Sequence, residues 1–563
     1  MASRAQGNDR SDDSSTFVND NAKKLEEIYK KDPLAPASAA SSAAGAEKDS
    51  GVVESSLIRW IIAVTVSSAA LLEVIDTSIV NVALNQIQGN LGATLAEAGW
   101  VVTGYSVANA IMIPLTAWLG DRFGKKAYFV FSLIGFTISS MMCGFAPNLT
   151  TLVVSRIIQG LCGGGLLAKA QAILFETFPK EEQAAAQGLF GICVMVGPVV
   201  GPTLGGYLTD YFNWRWIFFV NLPFGILATI LASMYLPKTP VKKTATIDWW
   251  GIILLVACIG SLQTVLEEGQ QDDWFSSQYI TALVVVALLG GILFIWRELV
   301  CRDPAVNLKI LRYKSLAAGS CYSLCLGMCL YGATFAVPIF AQNILHYTPT
   351  QTGLLMLPGA IASALCMPLF AKLAGKVDAR ILIASGALLS VFSMWQLSTM
   401  NPNTSADSMF WPLVWRGIAS IFMFMPLSTA TLGSLPKEYI GAGSGFFSLT
   451  RQMGGSIGIA ALTTLLSQRE TYHRSVLVEQ INNYNPIFND MTHKFGAILM
   501  QHGADRAGGY MGAMGMVNGI VETQSAVLAF ADMFWIVGFT FVISMPLLLF
   551  LSSGKNARAS AGH

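Results

Sequence analysis

The chain has 563 residues, 53% of them hydrophobic and 12% charged, with a net charge of +1 and a mean hydropathy of +0.53. An ordinary soluble domain carries about 25% charged residues. Half that density excludes a cytosolic enzyme, a secreted disulfide scaffold and a disordered chain, and near-neutrality supplies no field for nucleic acid. What remains is a membrane protein, whose lipid-facing surface needs no charge and whose apolar runs of about 20 residues cross a bilayer as helices.

In chain order, residues 1–56 are polar, rich in Ala and Ser, and lack the apolar stretch of a signal peptide; they are expected to be a disordered cytoplasmic tail. Within it, 23–31 has the pattern of one short charged helix. Fourteen apolar segments follow, at 58–84, 97–119, 127–146, 150–174, 184–207, 214–236, 249–266, 279–296, 316–341, 352–371, 380–400, 410–434, 441–466 and 530–552. The expected organisation is an all-α membrane protein with 14 transmembrane helices. A six-helix half occupies 57–236, and two inserted helices with their linkers occupy 237–314. A second six-helix half occupies 315–552 and includes a long outer loop at 467–529, too polar to span. A tail at 553–563 ends the chain.

Basic residues orient the spans. The loops after even-numbered segments carry Arg122, Lys125, Lys126, Lys180, Arg297, Lys309, Arg380 and Lys437, whereas the short loops after odd-numbered segments carry no Lys or Arg. By the positive-inside rule both termini are cytoplasmic and 467–529 lies outside.

Displacing the sequence by 257 residues aligns it with itself. Asp121 meets Asp378, Gln159-Gly160 meets Arg416-Gly417, Phe178-Pro-Lys meets Leu435-Pro-Lys, Gly197 meets Gly454 and Gly201 meets Gly458. The shift pairs segments eight apart with the same orientation, which is a parallel duplication. Such repeats characterise secondary transporters, with the binding cavity between the halves.

Charges at bilayer depth are costly and mark function. Glu73 and Asp76 lie one helical turn apart in the first segment, Arg156 and Lys169 in the fourth, Arg416 and Arg451 in the twelfth and thirteenth. Two buried carboxylates on one helix face cannot comfortably both stay charged, which suits them to carrying a proton; the alternative is that Asp76 pairs with Arg156 for structure alone. The position 257 residues beyond Asp76 is Ala333, so the acidic role is confined to the first half. Gly120, Asp121, Arg122, Gly124 and Lys125 form a tight charged turn that suits a conformational latch between helices. The alternative is anchoring by its basic residues. The fifth segment carries Gly197, Pro198, Gly201, Pro202, Gly205 and Gly206, a flat and bent face for close packing or sliding. The nine cysteines are read as free thiols; Cys321, Cys325 and Cys329 share a helix face for packing rather than for metal. No phosphate-binding glycine loop accompanies these features, so ATP-driven pumping is not expected.

These residues resemble the Major Facilitator Superfamily and, within it, the 14-helix drug:proton antiporters of the EmrB/QacA type. Ile75-Asp-Thr-Ser-Ile-Val-Asn-Val-Ala83 is similar to that group's first-helix motif, Gly120 to Lys126 to the superfamily's loop between helices 2 and 3, Arg156-Ile-Ile-Gln-Gly160 to the fourth-helix motif, and Gly197 to Gly206 to the antiporter motif. The resemblance covers about 58–552 and is strongest to EmrB-type exporters of Gram-negative bacteria. It implies proton-driven export of hydrophobic or amphipathic toxic compounds by alternating access. The proton gradient would supply the energy without a cofactor or metal. Asp76, Glu73 and Arg156 would couple protons, and Lys169, Gln159 and Arg416 would line the substrate cavity. It also implies an inner-membrane location and, as partners, an EmrA-like periplasmic adaptor docked on 467–529 and a TolC-like outer-membrane channel. The alternatives are a dedicated exporter of one metabolite or fatty acid, and a non-transporting receptor or assembly subunit. The sequence departs from the group at Glu73, where an uncharged residue is expected, and at Lys169. No Asp or Glu occurs in 352–371, which argues against divalent cationic drugs, and Lys169 in the cavity would instead favour neutral or anionic amphiphiles such as fatty acids or uncouplers; the alternative is that Lys169 neutralises Glu73 or Asp76.

Overall fold

Short polar side chains set many of the helix starts. Thr94 Oγ1 accepts the Glu97 N–H while Glu97 Oε2 accepts the Thr94 N–H, a reciprocal cap that fixes where one helix begins. Asn148, Asp248, Ser405, Asn485 and Asp505 cap five others, each side chain accepting one backbone N–H of the first turn. The computed structural model describes residues 55–180, 182–239, 241, 247–301, 303–373, 376–482 and 484–551. The short charged helix expected at 23–31, and the tails up to 54 and from 552, lie outside these residues.

Among the described residues every regular element is helical. The first half comprises α1 (Ser56–Leu91), α2 (Leu95–Phe123), α3 (Lys125–Gly144), α4 (Leu149–Gly163), α5 (Leu166–Thr177), α6 (Gln183–Tyr211), the single turn α7 (Trp216–Phe219) and α8 (Asn221–Tyr235). A hairpin of α9 (Trp249–Glu268) and α10 (Gln278–Val300) follows. The second half comprises α11 (Lys314–Asn343), α12 (Pro349–Leu373), α13 (Ala379–Ser398), α14 (Ala406–Leu432), α15 (Ile440–Glu479), α16 (Pro486–Gln501) and α17 (Arg506–Ser544).

The duplication reappears in the packing. In the first half α2 packs on α4, α3 on α4, and α3 on α8; in the second, α12 packs on α14, α13 on α14, and α13 on α17. The repeat-related glycines do the same work. Gly197 and Gly201 bring α6 against Val74 and Ser78 of α1, and Gly454 and Gly458 bring α15 against Leu324 and Met328 of α11. The halves meet along two related seams, α6 on α12 and α2 on α15. Gln171 and Ser428, themselves separated by 257 residues, hydrogen-bond across that junction at 2.7 Å. The hairpin packs on one seam, with α9 against both α2 and α15.

One expectation is left open and one changes. Among the described residues thirteen helices are long and apolar enough to cross a membrane by length and composition, so the expected count of fourteen is not confirmed. The segment expected at 441–466 lies within α15, which packs among the others against α11 and α17 but whose many Gly, Ser and Thr residues make it less apolar. The outer loop expected at 467–529 is helical instead. α15 runs on to Glu479, α16 follows, and α17 begins at Arg506, with Asp532 accepting from Arg469 at 2.7 Å and contacting His473 at 2.9 Å to join α15 to α17. Polarity forbids a segment to span a bilayer; it does not forbid a helix beyond it.

Candidate functional site

α1 is apolar around Glu73 and Asp76, and both acids are buried, Asp76 fully. Their three-residue spacing puts them on one side of the helix, toward α4. Asp76 Oδ2 accepts from Arg156 Nη1 at 2.6 Å. Its Oδ1 accepts from Gln159 Nε2 at 3.0 Å and from Asn221 Nδ2 at 2.8 Å. Gln159 in turn accepts from Arg156 Nη1 at 2.9 Å, closing a three-membered ring. The guanidinium also donates from Nε to the Val101 carbonyl at 3.0 Å and lies over the Tyr105 ring, 4.1 Å from its centroid. Arg156 is 1% exposed. A buried pair of this kind holds only when further hydrogen bonds support it, and here the Asp76 carboxylate accepts three.

Glu73 is held without an ion pair among the described residues. Its Oε1 accepts from Asn109 Nδ2 at 2.8 Å and its Oε2 from the Leu167 N–H at 2.7 Å. That N–H is free because the fourth span breaks. Gly165 takes a left-handed backbone (φ +77°), and α5 starts afresh at Leu166 with its first amides unpaired. A helix N-terminus thus faces a carboxylate, the favourable sense of the helix dipole. The break places two acids of one helix in different settings, one locked to a cation and one held by neutral donors.

The other expected residues are distributed more widely. Lys169, 8% exposed, donates to Ser132 Oγ at 2.7 Å and sits 3.8 Å from the centroid of the Tyr128 ring; it neutralises neither acid directly. It lines a pocket shared with Asp121, Lys125 and Glu438 at the α2–α15 seam. In the loop between α2 and α3, Gly124 has a positive φ of +86°. Lys125 Nζ pairs with Glu176 Oε1 at 2.6 Å, while its N–H donates to Thr239 Oγ1 at 2.8 Å. The turn therefore ties α3 to the end of α5 and to the chain leaving α8. Arg122 lies 5.8 Å from the centroid of the Trp118 ring. In α6, Gly197, Gly201 and Gly205 pack on α1 within their own half, and Gly206 alone of the four reaches Thr350 of the other half. The face toward the second half is supplied by Gly188 and Gly191, against Met367 and Met425, with Pro198 at a cavity whose other walls belong to the second half. Arg416 lines that cavity and does not join the Asp76 centre.

Three partners escaped the sequence reading: Asn109, Asn221 and the Leu167 amide. An amide side chain inside an apolar run, as in Phe218-Phe-Val-Asn-Leu222, is the available signal for the first two. The third depends on a backbone break that residue types do not announce.

A duplicated helical membrane protein with a sealed ion-pair centre in one half and a cavity where the halves meet is a multi-pass secondary transporter. The chain belongs to the Major Facilitator Superfamily, whose family model matches residues 66–459. It is 34% identical to the multidrug export protein EmrB of Escherichia coli strain K12 over 89% of this chain and 97% of the relative. It is 32% identical to the fatty acid resistance protein FarB of Neisseria gonorrhoeae over 87% of this chain and 95% of that one. Among solved structures, the proton:xylose symporter XylE shares the fold, with a TM-score of 0.57 at 12% identity over 88% of this chain and 97% of the other.

Proposed function

We propose that this protein exports hydrophobic and amphipathic toxic compounds in exchange for protons, by alternating access and without a cofactor. The observation that carries the reading is the buried Asp76–Arg156–Gln159 ring beside a Glu73 held only by neutral donors. Protons entering from outside reach this pair of acids. Protonation of Asp76 removes the charge that holds Arg156, so the ring loosens and the balance between outward-open and inward-open arrangements shifts. Gln159 and Asn221 retain neutral hydrogen bonds through the change and keep the centre assembled. The Lys125–Glu176 tie acts as the latch of the first half, made in one arrangement and broken in the other. The glycine and proline face of α6 lets that helix move as a unit with α1 against α12.

The test is Asp76→Asn in a host lacking its other pumps, together with pH-gradient-driven efflux from proteoliposomes. Loss of both resistance and gradient-driven efflux, with expression intact, is expected; undiminished proton-coupled efflux would sink the assignment.

The same reading places the protein in the bacterial inner membrane with both termini cytoplasmic, following the basic loops. The helical extension formed by the end of α15, α16 and the start of α17 then lies in the periplasm. It offers a docking site for an EmrA-like adaptor that continues to a TolC-like channel. Removal of 475–520 from a protein that still expresses is expected to abolish adaptor co-purification; unchanged co-purification removes the docking role. A dedicated exporter of one metabolite or fatty acid is the second reading. It is favoured by Lys169 and Arg416, two cations at the seams between the halves without an acidic partner among the described residues.

A further inference from the structure

The two halves treat the same place in the fold differently. In the first half Asp76 of α1 meets Arg156 and Gln159 of α4. Moving 257 residues along, Asp76 becomes Ala333 of α11, Arg156 becomes Leu413 and Gln159 becomes Arg416 of α14. The second half thus keeps one cation, one turn further along its helix, and deletes the carboxylate. What stands there instead is a cavity lined by both Ala333 and Arg416.

Arg416 has no counter-charge. No hydrogen bond or ion pair reaches its side chain among the described residues, and its Nη1 is closed to solvent with no partner. No lining residue of the cavity is acidic. Three of the hydroxyls at the wall are already committed, because Thr334, Ser363 and Ser420 donate to the carbonyls of Leu330, Gly359 and Arg416, and the others there, Ser390 and Tyr331, are neutral. Arg416 is therefore the strong donor left over, with a planar fork suited to a carboxylate. Arg416 is part-buried, and a guanidinium with a nitrogen closed to water and no anion beside it is costly, a cost relieved by whatever anion arrives. On the opposite wall α6 of the first half presents Met195 and Val199, an apolar surface able to cover a chain or ring.

We propose that Arg416 binds the carboxylate of an amphiphilic substrate, which takes the place that Asp76 fills in the first half, with its apolar part against α6. This rests on the export reading and narrows its substrate class to amphiphiles bearing a single carboxylate. Because the ligand touches α14 on one side and α6 on the other, it sits where the halves must part to release it.

The experiment measures binding of radiolabelled dodecanoate, competed by unlabelled dodecanoate or methyl dodecanoate, to the full chain in nanodiscs at pH 8 with no proton gradient. Wild type is expected to prefer the acid over its ester. Arg416→Gln is expected to weaken dodecanoate about 30-fold or more, the usual effect of removing one partner of a buried charge pair. Arg416→Lys should retain the preference for acid over ester. Ala333→Asp, which restores an internal carboxylate, should displace dodecanoate while raising thermal stability, a change that mere misfolding cannot produce. Equal binding of acid and ester by wild type, or undiminished dodecanoate binding by Arg416→Gln or by Ala333→Asp, overturns the proposal. A protein that binds dodecanoate through Arg416 but moves nothing under a pH gradient overturns the export reading alone. A protein that exports only cationic dyes, indifferent to Arg416, overturns this one.

Discussion

Arg156 does several jobs with one group: it neutralises Asp76, orients Gln159, anchors to the Val101 carbonyl and stacks on Tyr105. Truncating it strands a sealed carboxylate, and breaking a buried pair from one side costs about 3–5 kcal/mol. Arg156→Met is therefore expected to lower the melting temperature sharply. The double variant Arg156→Met with Asp76→Asn, which removes both charges, should regain most of that loss without regaining transport. Fluorescence-detected size-exclusion melting curves check this; a double variant no more stable than the single one would show that the charge is not what stabilises the centre. The acids and Arg156 were legible because a charge in an apolar run has few bland explanations. Asn109 and Asn221 were not, since an uncharged amide costs less at depth and stands out less, although each supplies a hydrogen bond on which an acid depends.

The break between α4 and α5 shows how an element positions chemistry. Gly165 combines a positive φ with a crowded site: a Cβ there would lie 2.0 Å from Thr116 Cγ2. Gly165→Ala therefore has to move α2 away or straighten the break, and either response pulls the Leu167 amide off Glu73. A loss of stability of about 1–3 kcal/mol is expected, with impaired transport. Gly515, mid-helix in α17 with nothing within 4 Å of an added Cβ, is the contrasting position, where Ala is expected to be neutral or to stabilise by about 0.5–1 kcal/mol. Thermal melts of the two variants decide the matter, and similar destabilisation of both would refute the special role of the break. Sequence pattern predicted the fourth span as one continuous helix over 150–174, because three glycines (163–165) inside an apolar run are compatible with either outcome. The same insensitivity made 467–529 read as a loop. Hydropathy measures what can enter lipid, whereas α16 and the outer turns of α15 and α17 are held by packing on one another and by the Asp532 contacts.

At the scale of the whole molecule, the duplication was legible because it leaves residues at one fixed offset, and the paired glycines explain why those positions survive in both halves: each allows two helices of its own half to touch. What the pattern could not tell was which neighbour a glycine face meets. The antiporter motif reads as a sliding surface, yet Gly197, Gly201 and Gly205 fasten α6 to α1. On the alternating-access proposal the moving contact is therefore between an α1–α6 unit and α12, and a close approach of α6 to α12 lies at Gly353, where an added Cβ would be 2.7 Å from Thr203 Cβ. A disulfide needs its Cβ atoms about 3.8 Å apart, a separation that a small relaxation of the two helices supplies. In a background with the nine native cysteines replaced, Thr203→Cys with Gly353→Cys is expected to cross-link under mild oxidant. The cross-link should stop gradient-driven efflux and leave substrate binding in place, with transport returning on reduction; each single variant should be indifferent to oxidant. In the orientation proposed from the basic loops this seam falls on the outer half of the membrane, so the bond would lock the outer gate while the inner one stays free. Efflux continuing at an unchanged rate through the cross-linked protein would mean that α6 and α12 never part at this level, and that the halves rearrange by some route other than opening along this seam.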